Sequence, residues 1–268
     1  MLPSNNFFQK HCKERGIPFR KKEILREYLQ MQTLQALSVS GFNDSLSFLG
    51  GTALRFGFGI DRFSEDLDFD LLDGKNFSVE EFDREIRDKL KSFGLKTDTR
   101  VRETENIYIL YLKFRDVLRE FGFNVPRDQK LLVKFEIDTS PLKSIETQTI
   151  LVDSFNERFP LLFNDKRTLF AQKFVALANR PYQKGRDFYD LVWFLAQKDL
   201  EPNYKLLREK GYEIDDKKEF ARELRKIIED SDLKQAVKDV ENFLFHPEKA
   251  KWILNVGEYL EGWEAQFI

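Results

Sequence analysis

Residues 49–72, LGGTALRFGFGIDRFSEDLDFDLL, decide how the chain is read. A double glycine, Gly50-Gly51, leads into Thr52 and an apolar run, Ala53–Phe58, whose pattern predicts a helix. Beyond Arg62 and Ser64 the sequence alternates: Asp66, Asp68 and Asp70 are separated by Leu67 and Phe69. A strand sends successive side chains to opposite faces, so these carboxylates share one face. Like charges that close repel and call for compensation. A divalent cation is the usual one, because Mg²⁺ takes one or two carboxylates together with substrate phosphates. A solvated strand edge is the other reading of a bare Asp-x-Asp. The glycine turn, the helix and Arg62-x-Ser64 upstream weigh against it.

Working outward, Ser45–Leu49 reads as a short strand entering the glycine turn. Before it, Lys21–Leu37 carries Ile24, Leu25, Tyr28, Leu29, Met31 and Leu34 at helical spacing, an amphipathic helix. Residues 1–20 are polar, a loop or short helix. After the acidic strand, Asp73-Gly74 signals a turn. Ser78-x-x-Glu81 is a capping box opening a helix to about Phe93. Leu95–Arg102 and Ile107–Phe114 read as paired strands, the second apolar on both faces and therefore central. Leu131–Asp138 puts Leu131, Val133, Phe135 and Ile137 on one face and Leu132, Lys134, Glu136 and Asp138 on the other. Two more carboxylates on one side of a strand suit a metal site built on adjacent strands; an ordinary solvated face is the alternative.

Between Ser140 and Pro160 the chain turns over, and the domain boundary is expected there: a sheet domain over 1–155 and a helical domain over 156–268. Helices are predicted at Thr168–Asn179, from Gly185 or Arg186 to Lys198, and near 203–210, 216–230, 232–244 and 247–263. A second constellation lies here, Lys173…Arg180…Arg186-Asp187-Phe188-Tyr189-Asp190-Leu191. On a helix Asp187 and Asp190 are i,i+3 neighbours on one face. By itself this is a salt-bridge lattice. With the acidic strand, it suggests cationic contacts to a triphosphate and acids that orient them.

Composition narrows the classes. The 268 residues are 41% hydrophobic and 34% charged, a globular balance, with 27 phenylalanines as core material. The net charge of −2 does not advertise a nucleic-acid binder, although it leaves room for a local basic patch. One cysteine, Cys12, excludes an intrachain disulfide, and the two histidines, His11 and His246, match no metal spacing. No run approaches the roughly 18 apolar residues of a membrane span, and residues 1–16 lack the apolar core of a signal peptide, so a reduced, cytoplasmic setting is expected. There is no GxxxxGK[ST] loop, Gly57-x-Gly59 lacks a third glycine, and an EF-hand beginning at Asp66 fails at Leu71 and Phe77.

Gly50-Gly51-Thr52-Ala53-Leu54…Arg62-x-Ser64-x-Asp66-x-Asp68, followed by Lys173…Ala176-Leu177…Arg180…Arg186-Asp187-x-Tyr189-Asp190-Leu191, resembles the AbiEii nucleotidyltransferase family. These are toxins of AbiE-type abortive-infection and MenT-type toxin–antitoxin systems. The resemblance spans about residues 22–198, with two separated motifs in the right order. It implies an α+β fold, a polymerase-β-like nucleotidyltransferase mixed sheet followed by a C-terminal helical domain. It implies transfer from an NTP, dependent on Mg²⁺ or Mn²⁺, to an RNA acceptor, the tRNA 3′ end, with a cognate antitoxin as partner. Carried over by motif, Gly51 and Thr52 hold triphosphate, Asp66 and Asp68 bind metal, and Lys173 and Asp187 are catalytic residues of the second motif. Gly50, Arg62, Ser64, Arg180 and Arg186 complete the expected NTP contacts. No motif fixes the third carboxylate; Glu136 is the choice and Asp138 the alternative. Two competing functions share these residues: transfer to a protein hydroxyl, and an NTP-binding interaction module that has lost catalysis.

Overall fold

The computed structural model describes residues 2–72, 77–140, 142–180 and 184–266. The expected Asp73-Gly74 turn lies outside them. The chain forms two compact units: Met1–Gly59 with Phe63–Pro141 and Thr149–Phe163, and Ile60–Arg62 with Leu142–Gln148 and Asn164–Ile268.

The first unit is built on a seven-stranded mixed sheet. Its strands are β1 (Leu46–Leu49), β2 (Asp66–Leu71), β3 (Thr97–Glu103), β4 (Ile107–Phe114), β5 (Leu131–Asp138), β6 (Thr147–Ser154) and β7 (Glu157–Asn164), in the order β3-β4-β5-β2-β1-β7-β6. β2 runs antiparallel to β1 and parallel to β5. Alternation sends Phe48, Leu67, Phe69, Val133, Phe135, Ile137, Leu110 and Leu112 into the core. Phe48 stacks on Phe69 at 4.8 Å and Phe69 on Phe135 at 4.4 Å, a row of rings across three adjacent strands. Phe82, on helix α4 (Val79–Ser92), reaches Phe135 with ring centroids 5.0 Å apart. Ser78 caps α4 by accepting from the Glu81 N–H at 3.3 Å.

Three elements of this unit refine or differ from expectation. The first residues form a full helix, α1 (Asn5–Arg15), capped by Ser4, with Phe8, His11 and Cys12 buried. Its polar composition hides the three residues that dock it. Helix α2 (Lys21–Ser38) falls where predicted but is buried nearly all round, Glu27, Gln30, Gln32 and Thr33 included. Glu27 is tolerated there because Arg55 pairs with it at 3.0 Å. The segment read as a turnover contains the β6–β7 hairpin, joined at Phe155 and Asn156 with φ of 51° and 65°, the mirror-image geometry such two-residue loops require. Pro160 reads as punctuation, yet it sits exposed within β7, whose pairing with β1 is at Phe48 and Phe163.

The second unit is helical: α6 (Lys166–Asn179), α7 (Gly185–Leu195), α8 (Tyr204–Glu209), α9 (Lys217–Glu229), α10 (Leu233–Val240) and α11 (Val256–Ala265), after α3 (Gly50–Phe58) and the short α5 (Val117–Glu120) of the first unit. Asp165 caps α6 by accepting from Thr168 N–H at 2.7 Å. The core gathers Phe170, Phe174, Phe188, Phe194, Phe220 and Trp263. α7 meets α10 at Gly185, where a Cβ would stand 1.9 Å from the Ala236 carbonyl oxygen, so only glycine allows the approach. The single helix expected over 247–263 is a 3₁₀ segment, Pro247–Asn255, followed by α11. Ile60–Arg62 joins this unit through the Phe245 N–H, which donates to the Asp61 carbonyl at 3.0 Å. Among the described residues no helix is long and apolar enough to cross a membrane.

Candidate active site

The carboxylates of the first unit owe their arrangement to register. β2 and β5 pair with Asp66 opposite Lys134, Asp68 opposite Glu136 and Asp70 opposite Asp138. Opposed residues project to the same face, the one turned away from the phenylalanine row. β4 and β3 extend two of these rows: Tyr111 and Arg100 beyond Lys134, Ile109 and Arg102 beyond Glu136. Of the two alternatives for a third acid, Glu136 is the one level with Asp68; Asp138 is level with Asp70.

The glycine turn is held against this row. α3 starts at Gly50, with φ of 78°, and a Cβ there would lie 2.4 Å from Asp68 Oδ2. Backbone conformation and close approach both demand glycine. Thr52 is buried, and its hydroxyl donates to the Asp66 carbonyl, pinning the first turn of α3 to the start of β2. The Thr52 hydroxyl is thus engaged within the first unit, while the first N–H groups of α3 lack intrahelical acceptors. Ser64 accepts at its carbonyl from Gln30 Nε2 at 3.2 Å.

Glu136 is bonded to Lys134, a residue that none of the motifs singles out. Burial alone would lower the Lys134 pKa; the hydrogen bond to Glu136 and the charges of Glu136, Asp66 and Asp68 outweigh it and raise the pKa above the usual lysine value. The alternation of Leu131–Asp138 does put Lys134 on the acidic face, and that is the signal that could have found it. Among the described residues no three His, Cys, Asp or Glu side chains converge as a ready-made metal site. The donor chemistry still fits Mg²⁺ or Mn²⁺: these are oxygen ligands only, and a hard cation of this size takes one or two carboxylates and completes its shell with water and phosphate. The row also holds the Lys134 ammonium.

The second constellation is a charge network of the second unit. Arg62 donates Nε and a terminal nitrogen to the two oxygens of Asp190 at 2.6 and 2.7 Å. Lys173, on α6, reaches Asp187 at 2.8 Å and Asp190 at 2.9 Å, both on α7. Arg180 closes the set on Asp187. Arg62 and Asp190 are buried, whereas the Arg180 side chain keeps 42% of its surface. Burial would raise both aspartates, yet Arg62 and Lys173 hold Asp190, and Lys173 and Arg180 hold Asp187, below the usual aspartate value. Three cations face two carboxylates, so the network carries one positive charge in excess. Arg62, expected at the nucleotide, has its guanidinium committed to Asp190. Arg186, also expected there, stacks on Phe243 at 4.2 Å.

The α+β architecture, a seven-stranded mixed sheet whose helix-opening glycine turn packs against Asp68 of the next strand, is consistent with a nucleotidyltransferase-like fold. Over residues 32–256 the chain matches the family described as nucleotidyl transferase AbiEii toxin, Type IV TA system. It belongs to that family. Among solved structures it is similar to JHP933 from Helicobacter pylori, at 17% identity and a TM-score of 0.56, over 91% of this chain and 92% of that one. It is also similar to an H. pylori protein described provisionally as a nucleotidyltransferase, at 18% identity and a TM-score of 0.54, over 90% and 94% of the two chains. At these identities the likeness is one of fold. No curated protein matches the chain.

Proposed function

We propose that this toxin is a metal-dependent nucleotidyltransferase that moves a nucleotide from an NTP to an RNA acceptor, the tRNA 3′ end. The observation that carries the reading is the packing of Gly50 against Asp68, with Glu136 level with it on the next strand. Asp66 and Asp68 would bind Mg²⁺ or Mn²⁺, with Glu136 as the third carboxylate. When bound, the ion neutralises charge on the phosphates at the in-line transfer. The first N–H groups of α3, with Gly50 and Gly51 leaving the backbone bare, would receive the β- and γ-phosphates. Glu136 would take the proton of the attacking hydroxyl once its bond to Lys134 is broken. Lys173 and Arg180 would contact phosphate, with Asp187, which both of them bond, orienting them. Arg100 and Arg102, exposed at the end of the two rows that hold Asp66 and Asp68, suit an RNA backbone. The setting that follows is the cytoplasm, with a cognate antitoxin as partner and phage defence as the role.

Incubation of the purified protein with each labelled NTP and either total RNA or total protein tests this reading. Label on RNA, lost in Asp66→Ala and Asp68→Ala, is the expected result. Label on protein alone replaces the acceptor and leaves the transfer chemistry. No label with any NTP removes the activity.

A further inference from the structure

Three acids and one lysine share the central rows of the sheet. Asp66 stands opposite Lys134 and Asp68 opposite Glu136, on parallel neighbours whose side chains share a face. Lys134 and Glu136 are two residues apart on β5, so their side chains leave the strand side by side, and they meet as an ion pair with 28% of each side chain exposed. A pair this sheltered is screened less than a surface pair.

We propose that Lys134 is a built-in counter-cation of the carboxylate face, which holds Glu136 in the metal-free protein and which a divalent ion must displace before Glu136 can join Asp68 as a ligand. This rests on the metal reading above. A lysine suits the role: its ammonium is strongly hydrated and rides on a flexible four-carbon stem, so it gives way to a better cation without moving the strand. An arginine fork would hold the carboxylate bidentately. The row then has two states, one closed by Lys134 and one opened to the ion. The affinity for the ion is reduced by the work of opening the pair, a built-in brake on loading.

The test is Mn²⁺ binding to the full-length protein, stripped with chelator and free of nucleotide, followed by calorimetry and by the electron paramagnetic resonance of free Mn²⁺. Lys134→Met is expected to bind Mn²⁺ about tenfold more tightly than the unmodified protein, the effect of one neighbouring unit charge. Adding Glu136→Gln should remove that gain, because Glu136 is the ligand set free. Without metal, Lys134→Met should melt earlier, and Mn²⁺ should raise its melting temperature by more than it raises that of the unmodified protein. Should the methionine variant not fold, Lys134→Gln carries the same comparison. Equal or weaker Mn²⁺ binding in the neutral variant, with binding still abolished by Asp68→Asn, overturns the role of Lys134 and leaves the metal site standing. An unmodified protein and a Lys134 variant that both bind no Mn²⁺ at millimolar concentration overturn the metal reading and this inference with it.

Discussion

The acidic rows of the sheet and the charge network of the helical unit contain the same residue types and solve opposite problems. On the sheet, Asp66, Asp68 and Glu136 share a face with Lys134 and remain half-exposed. In the network, Asp187 and Asp190 are buried, each bonded by two cations, with positive charge in excess. Satisfied charges that water cannot reach hold a fold together, and removing one partner exposes the full cost of burying the other. Half-exposed carboxylates packed beside a glycine turn suit a ligand instead. The two kinds of site should therefore fail differently: the buried Arg62–Asp190 pair by unfolding, the sheet face by losing activity in an intact protein.

The sharpest break in that comparison is Asp190→Ala. It removes the acceptor of two Arg62 hydrogen bonds and one contact of Lys173, and stability should fall by about 3–5 kcal/mol in denaturant titrations. Both aspartates have their pKa values lowered on folding. Their contribution is thus complete above the ordinary aspartate range and is lost only as pH falls through and below it. A loss under 1 kcal/mol for Asp190→Ala would mean that the network does not support the fold.

Asp68→Ala should do the reverse. Nucleotide transfer should drop by at least about a hundredfold, the scale of removing one key electrostatic group, while the thermal transition stays near its original temperature. Gly50→Ala should mimic it in part, since its Cβ would displace the Asp68 carboxylate. Near-normal turnover in Asp68→Ala would put the chemistry elsewhere.

A smaller effect separates charge from burial within the first unit. His11 stacks on Phe155 at 4.0 Å, and burial, helped by Arg15 and Arg55, lowers its pKa from 6.5 to about 4. The unfolded chain takes up that proton below pH 6.5 and the folded chain does not. Stability should therefore decline as pH falls from 6.5 to 4, by at most about 1.4 kcal/mol per pH unit from this group. His11→Gln should lose that part of the slope, read as the difference between the two pH–stability curves; parallel curves would show that His11 titrates freely.

How much of this is legible without coordinates follows from the range of the interactions. The acidic strand, its glycine turn and the run Leu131–Asp138 are local patterns with period two, and they appear where the sequence puts them. The partner of Glu136 was equally local, two residues away, but an isolated lysine on a polar face carries no motif. Asp190 as the mate of Arg62 was out of reach, because 128 residues separate them. The β6–β7 hairpin was hidden by Pro160, whose meaning depends on where β7 meets its neighbour. The docking of α1 was hidden in the same way, since three buried residues on a polar helix do not make a period.

The smallest effect concerns the acceptor, and it tests whether the sheet face extends beyond the nucleotide. Arg100 and Arg102 end the two rows that begin at Asp66 and Asp68, and both are exposed. If a single-stranded RNA end lies along those rows, each arginine neutralises a phosphate and releases condensed counterions. The log of RNA affinity should then fall linearly with the log of salt, with a slope of roughly −0.7 per phosphate contacted. Arg100→Ala and Arg102→Ala should each flatten the slope by about that amount and weaken binding alike for every RNA sequence, since phosphate contacts carry no base information. Turnover on a saturating acceptor should change little, because neither side chain is needed at the reacting phosphorus. Slopes identical to the unmodified protein in both variants would move the RNA off this face, and label appearing on protein alone would remove it from the reaction.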